Sequence, residues 1–249
     1  MRDNYVWLVR EGRNALAVDP GDAAPVLAYL EREGVTLQGI AITHHHWDHV
    51  NGIAALTARH QVPVYGPARE SIPGRTHPVA EGDTFALPEL ELDLSVLDVP
   101  GHTAGQVAYV GTCGGVAVTF TGDTLFTCGC GRIFEGTPAQ MMASLAKLAA
   151  LPGETLVYCG HEYTLANLRF ALAVEPGNAA LHARQLREQA KRDQGLPTVP
   201  ARMDEECATN PFLRAAEPEV FAAAAAHAGR PLADAVDAFA TLREWKNGF

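Results

Sequence analysis

Thr43-His44-His45-His46-Trp47-Asp48-His49 packs four candidate metal-ligating side chains, His44, His46, Asp48 and His49, into seven residues. In an extended segment alternate side chains point the same way, so His44, His46 and Asp48 share one side. His49 comes round as the chain turns into a following helix. A helical turn would instead place His44 and His46 about 200° apart. Two imidazoles can therefore clamp one cation while Asp48 and His49 reach a neighbouring one. This stretch has too few ligands to close two sites. His102, Asp123 and His161 supply the rest, each just after an expected strand and each preceded by glycine (Gly101, Gly122, Gly160). Asp123 is the natural bridge, since a carboxylate can join two ions while imidazoles suit zinc, iron and related metals. Five histidines and two aspartates leave two partly open sites with room for water. Such ions make water a nucleophile at neutral pH. Asp48 then binds metal and also orients or deprotonates the attacking water, so no serine or cysteine nucleophile is required. His45, His60, His77, His182 and His227 are expected to be capping or surface residues, and His45 alternates away from its neighbours.

The elements that must position these groups follow from the apolar pattern. Strands are expected at Tyr5–Val9, Ala15–Asp19, Gly39–Thr43, Val62–Tyr65, Leu90–Val99, Val107–Val110, Val116–Thr121 and Thr155–Cys159. Helices are expected at 23–33, 50–60 and 138–151. From Tyr163 onward the pattern is helical only, with helices at 164–174, 179–194, 218–228 and 231–245 and a Pro-containing connection over 195–210. A boundary near residue 165 gives a part spanning 1–165 that holds the metal ligands and a helical part spanning 166–249. Every ligand sits at a strand end, where layered α/β folds place their sites.

With 249 residues, 47% of them apolar, the chain is long enough for one α/β core with a smaller appendage. The net charge of −10, with scattered arginines and only Lys147, Lys191 and Lys246 as lysines, argues against nucleic-acid binding. No apolar run is long enough to span a bilayer and no secretory signal opens the chain. Five cysteines without a CxxC pair suit reduced thiols, and a soluble cytoplasmic chain is expected.

Thr-His-x-His-x-Asp-His, Pro100-Gly101-His102-Thr103, Thr121-Gly122-Asp123-Thr124 and Gly160-His161 together resemble the metallo-β-lactamase superfamily. The resemblance implies an α/β fold, an αββα sandwich with metals at one edge of its two sheets. Further segments resemble the glyoxalase II (hydroxyacylglutathione hydrolase) family: Asp3-Asn4-Tyr5, Cys130-Gly131-Arg132-Ile133-Phe134-Glu135-Gly136, Cys159-Gly160-His161-Glu162-Tyr163-Thr164, Asn210-Pro211-Phe212-Leu213-Arg214 and Arg243-x-x-Lys246. That family implies hydrolysis of S-D-lactoylglutathione to D-lactate and glutathione, the detoxification of methylglyoxal, by a hydroxide held between two divalent ions. Zinc is the first expectation, with iron or manganese also suited to His and Asp. The small-molecule glutathione thioester is the expected partner of a monomer, with no nucleic acid or membrane. The family's glutathione contacts fall on Arg132, Phe134, Tyr163, Arg243 and Lys246, where the helical part supplies the last two. Phe134 stands where many members have tyrosine, which removes a hydroxyl contact and leaves the main chain. Outside the resemblance, Arg243 and Lys246 read as a solvated helix face. The family usually carries a strand ahead of Asp3, for which only Met1 and Arg2 are present. Rival readings are a lactonase, a β-lactamase, a persulfide dioxygenase or a nuclease of the superfamily, or a non-catalytic binding protein. The helical tail, the acidic charge and the complete ligand set count against them.

Overall fold

The computed structural model describes residues 3–249, so Met1 and Arg2, which bear on the opening edge strand, lie outside the described residues. Strands β1 (Trp7–Glu11) and β2 (Asn14–Val18) form a hairpin, and helix α1 (Ala23–Glu33) follows. The Asp22 carboxylate caps α1 by accepting from the Ala24 N–H at 2.9 Å, and Gly34 ends it in the left-handed conformation that glycine tolerates. Next come β3 (Thr36–Ala41), short helices α2 (Trp47–Val50) and α3 (Ile53–Thr57), β4 (Val64–Pro67) and β5 (His77–Val79). These strands make a five-stranded sheet in the order β1-β2-β3-β4-β5, antiparallel at β1/β2 and parallel elsewhere.

The second sheet begins with β6 (Thr84–Leu87), β7 (Leu92–Asp98), β8 (Val107–Cys113) and β9 (Val116–Gly122) as an antiparallel meander. A small hairpin of β10 (Leu125–Phe126) and β11 (Gly129–Cys130) precedes α4 (Pro138–Ala149). Strand β12 (Leu156–Cys159) then returns parallel to β9. The tail runs through α5 (Thr164–Val174), α6 (Ala179–Asp193), β13 (Ala201–Arg202), α7 (Met203–Thr209), α8 (Pro218–Ala228) and α9 (Ala235–Gly248). The six-stranded order is β13-β12-β9-β8-β7-β6.

Strand alternation divides the core into layers. Leu16 and Val18 of β2 face Leu94, Val96, Tyr109, Val118 and Phe120 between the sheets. Ala15 and Ala17 face the opposite way, onto a cluster with Val26, Leu30, Ile53 and Leu56 of the first helical layer. The outer face of the second sheet gives Ala108 and Val157 to a cluster with Met141 and Leu145 of α4, Phe170 of α5 and Phe239 and Leu242 of α9. Helix, sheet, sheet and helix stack in that order, which is the expected αββα sandwich. Tail helices α5, α7, α8 and α9 share that cluster with α4 and the sheet, while α6 packs through Leu181 onto Leu168 and Ala171 of α5.

Several expectations need correction. The tail is not helical only: β13 pairs with β12 and extends the second sheet. The connection over 195–210 also holds α7, whose first turn carries Asp204, Glu205 and Glu206, acidic residues suited to a helix N-terminus. The helix expected over 50–60 is broken, with α2 ending at Val50 and α3 starting at Ile53. Between them Gly52 lies so close to the loop after β2 that a Cβ would stand 2.2 Å from the Pro20 carbonyl. Strands β5 and β6 were not expected; they are three and four residues long and too short to show a period. Asp48 lies in the first turn of α2, so the extended run from His44 ends at His46.

Candidate metal centre

Four strand ends converge on one edge of the sandwich. The loop after β3 brings His44, His46, Asp48 and His49, and the turn after β7 brings His102. Asp123 follows β9 and His161 follows β12, and these two strands are adjacent, with Cys159 opposite Gly122. The Val107 N–H donates to the Thr43 carbonyl at 3.0 Å, which ties the two sheets together at this edge. The glycines before the ligands make the crowding possible. A Cβ at Gly160 would meet Asp123 Oδ1 at 2.4 Å and the His49 ring at 2.7 Å, and one at Gly122, whose φ is +49°, would meet Thr43 Oγ1 at 2.3 Å.

The structure brings six of the seven expected ligands together in two triads, His44/His46/His102 and Asp48/His49/His161, with the ligand atoms of each triad within 4.8 Å of one another. His46 Nδ1 lies 3.1 Å from His44 Nε2 and 3.0 Å from His102 Nε2. Asp123 stands between the triads: Oδ2 is 3.4 Å from His102 Nε2 and 3.2 Å from His161 Nε2, and Oδ1 is 3.5 Å from His49 Nε2. Asp48 Oδ2 lies 3.6 Å from His161 Nε2 and 3.8 Å from His49 Nε2. Ligands about 2.0–2.1 Å from a tetrahedral zinc are separated by roughly 3.3 Å, so these spacings are those of ligands around a cation.

Hydrogen bonding on the far side of each ring decides which nitrogen faces the centre. His44 Nδ1 pairs with Thr43 Oγ1 at 3.0 Å, His102 Nδ1 donates to the Arg132 carbonyl at 2.8 Å and His49 Nδ1 donates to Asp19 Oδ2 at 3.1 Å. Their Nε2 atoms are thereby turned inward. His49 Nε2 and Asp123 Oδ1 are buried and have no hydrogen-bond partner. Buried polar atoms left in this state cost stability unless something else binds them. A cation between the triads would satisfy both, so the residues present fit a pair of metal ions.

Electrostatics separates the two triads. Burial, aided by neighbouring His49, holds His44 well below the usual imidazole range. Burial also lowers His46 and His102, which favours the neutral form that can ligate a metal. In His49 burial again opposes charge, but Asp123 and Asp19 override it and raise the imidazole to about 9. Asp123 is buried too, yet His49, His161 and His44 hold its carboxyl far below the usual range. In the second triad the neighbouring carboxylates favour protonated His49 and His161, so a metal ion there must displace those protons.

The centre opens on a cleft of about 660 Å³ whose walls include His46, Asp48, His102, Asp123 and His161. The five expected substrate contacts, Arg132, Phe134, Tyr163, Arg243 and Lys246, line the same cleft. Phe134 is 62% exposed and stands edge-on to His102, with ring centres 5.3 Å apart. Its N–H donates to the His102 carbonyl at 3.2 Å, so of its main-chain groups only the carbonyl is available to a ligand. Tyr163 stacks flat on His161 at 4.8 Å. Arg243 and Lys246 are no solvated helix face. Arg243 is buried and donates to the Cys130 carbonyl at 2.7 Å, and Lys246 is half-buried and donates to the Ala166 carbonyl at 3.3 Å.

Three supporting carboxamide and carboxylate groups were not anticipated. Asp19, with φ +50° just after β2, accepts from the Thr43 N–H at 2.8 Å and Thr43 Oγ1 at 2.7 Å as well as from His49. Its position after a strand, before Pro20-Gly21, is the same signal that marked the ligands. Asn4 donates to Asp48 Oδ2 at 2.9 Å. Glu70, buried beside the centre, accepts from His45, which is therefore not a free surface residue. Nothing in the spacing of Asn4 or Glu70 marks them.

Residues 2–161 match the family model described as the metallo-β-lactamase superfamily, and residues 162–249 match the one described as hydroxyacylglutathione hydrolase C-terminus. Over 248 residues the chain is 54% identical to a hydroxyacylglutathione hydrolase of Nitrosomonas europaea, covering all of this chain and 93% of that one. It is 57% identical to a hydroxyacylglutathione hydrolase of Alkalilimnicola ehrlichii over 98% of this chain and 95% of that one. Among solved structures, ETHE1 from Myxococcus xanthus aligns with a TM-score of 0.66 at 27% identity, over 98% of this chain and 94% of that chain. A di-iron-bound form of TTHA1623 aligns with a TM-score of 0.52 at 33% identity, over 64% of this chain and 87% of that chain. With seven His and Asp side chains gathered at the sheet edge, cationic side chains lining the cleft beside them and full-length likeness to these relatives, the chain belongs to the hydroxyacylglutathione hydrolase family of the metallo-β-lactamase superfamily.

Proposed function

We propose that the chain hydrolyses S-D-lactoylglutathione to D-lactate and glutathione. The observation that supports this reading best is the shared cleft. His46, Asp48, His102, Asp123 and His161 line it together with Arg132, Arg243 and Lys246, which supply positive charge. His44, His46 and His102 would hold one divalent ion, Asp48, His49 and His161 the other, with Asp123 shared. Zinc is the first candidate; iron is supported by the di-iron form of the structural relative. The ions would supply an activated water and a Lewis acid for the thioester oxygen.

The chain's own side chains do the rest. Asn4 fixes the Asp48 carboxylate at the cleft wall, where it orients the attacking water and accepts its proton. Water oxygen bonds to the carbonyl carbon, the C–S bond breaks, and the proton ends on the glutathione sulfur. Arg132, Arg243 and Lys246 bind the anionic peptide through charge-assisted hydrogen bonds. Tyr163 and the main-chain carbonyl of Phe134, which line the same cleft, complete the glutathione contacts. In this reading residues 1–165 hold the metals and 166–249 complete the glutathione site, and the protein works as a cytoplasmic monomer. No helix among the described residues is long and apolar enough to cross a membrane.

The test is a panel of substrates given to metal-loaded protein. S-D-lactoylglutathione should be hydrolysed with a kcat/KM far above that for a lactone, a β-lactam or a lactoyl thioester lacking the peptide. Preference for the lactone or β-lactam would overturn the assignment.

A further inference from the structure

Glu70 is not a ligand, yet its side chain is only 3% exposed and faces the centre from outside. Oε2 accepts the His45 N–H at 2.6 Å and His45 Nδ1–H at 3.0 Å. Oε1 accepts the Thr103 hydroxyl and, at 3.1 Å, the Gly105 N–H. Four donors thus converge on one carboxylate, which offers about four acceptor sites and no donor. His45 lies between His44 and His46, and Thr103 follows His102. These three histidines form the first triad, and they come from two loops that β3 and β7 deliver separately. The second triad does not touch Glu70: Asp48 takes its outer bond from Asn4 and His49 from Asp19, and His161 Nδ1 is buried with no hydrogen-bond partner.

Two further observations show that the arrangement is held in place. Arg75 fixes the Glu70 backbone by donating to its carbonyl at 2.7 Å. A Cβ at Gly105 would stand 2.7 Å from Glu70 Cγ, so the loop after His102 closes directly onto this side chain. The His45 ring continues the chain of contacts, with Nε2 3.4 Å from Glu135 Oε1, while Glu135 Oε2 accepts the Ala104 N–H at 2.8 Å.

From this geometry we infer that Glu70 is a positioning residue that sets the affinity of the first metal position, His44/His46/His102, and leaves the second largely alone. The inference rests on the two-metal reading of the centre. Glutamine keeps the size of the side chain but turns two of its four acceptor sites into donors that face donors. One of the two loops must then move away. Outer partners of metal ligands commonly change metal affinity by about 10- to 100-fold when removed.

The experiment uses the full chain stripped of metal and titrated with cobalt(II), followed by visible absorption. His49→Ala disables the second position and His46→Ala the first. Glu70→Gln should weaken cobalt by about 10- to 100-fold in the His49→Ala background and by less than about twofold in the His46→Ala background. Thr103→Val removes a single donor to Glu70 and should give a smaller loss with the same selectivity; it serves as the measurement if Glu70→Gln does not fold. A general loss of packing would lower both positions together. Equal weakening in both backgrounds, or none in either, overturns the role given to Glu70. Failure of the unsubstituted chain to bind cobalt at all would instead overturn the two-metal reading.

Discussion

Lys246 offers a sharp test of how the cleft binds its anionic substrate. Burial, with Arg243 and Arg169 nearby, pushes its ammonium down to about 8. The charged form therefore predominates at pH 7 and is lost as pH rises through 8. About nine-tenths of the chains carry the ammonium at pH 7 and about one-tenth at pH 9, by simple titration. If Lys246 binds a carboxylate of glutathione, kcat/KM, which reports the free enzyme, should fall about five- to tenfold between these two values. The fall should level off once neutral lysine dominates, because a hydrogen bond to a charged group is worth roughly 1.5–3 kcal/mol, or about 10- to 150-fold. Partial exposure of Lys246 places the effect at the lower end. The carboxylate keeps its charge throughout the reaction, so KM should move while kcat holds. Lys246→Arg carries a guanidinium that stays charged across this range and should remove the fall. The assay is initial-rate thioester loss from pH 6.5 to 9.5, corrected for alkaline hydrolysis, with a lactoyl thioester lacking the peptide as control. A flat profile in the unsubstituted chain, or the same fall in Lys246→Arg and in the control, would refute the reasoning.

Further expectations concern the metal centre and its supports. Asp48→Asn should lose most of kcat and weaken the second metal position; turnover near normal would show that Asp48 has the wrong role. Asp19→Asn places an amide N–H₂ against donors from Thr43 and His49 and should weaken the second position by about 10- to 100-fold, read by chelator competition. Arg243→Ala should raise KM for S-D-lactoylglutathione by about tenfold or more and leave the truncated thioester unaffected; because Arg243 also holds the Cys130 carbonyl, a modest drop in Tm should accompany it. Acidification should release metal and activity in parallel, since protons compete for the imidazoles; activity lost from fully loaded protein would assign the titration to another group.

Much of the centre was legible in the sequence because each ligand ends a strand. His44, His102, Asp123 and His161 each follow a run of apolar residues that had to be buried, and the glycine before each of the last three marked a close approach, while their common edge came from the family resemblance. The grouping of His44 with His46 and of Asp48 with His49 also followed from local geometry, although Asp48 reaches its place from the first turn of a helix. The supporting shell was harder to read. Asn4, Glu70 and the buried side of Arg243 depend on how distant loops pack, and no spacing encodes that. The same holds for β13, whose two residues have no period of their own and form a strand only because β12 offers a free edge. The divided helix around Gly52 shows the opposite case, a single residue type that reveals a close backbone approach once the neighbour is known.

The most direct test of the two-metal thioesterase reading is a titration of metal-free protein with zinc, with bound metal by elemental analysis and S-D-lactoylglutathione turnover measured on the same samples. The expected result is little turnover without metal and activity that rises to its plateau as bound zinc approaches about two ions per chain. Full turnover in protein stripped of metal, or a plateau of bound zinc with no hydrolysis of the thioester, would contradict it.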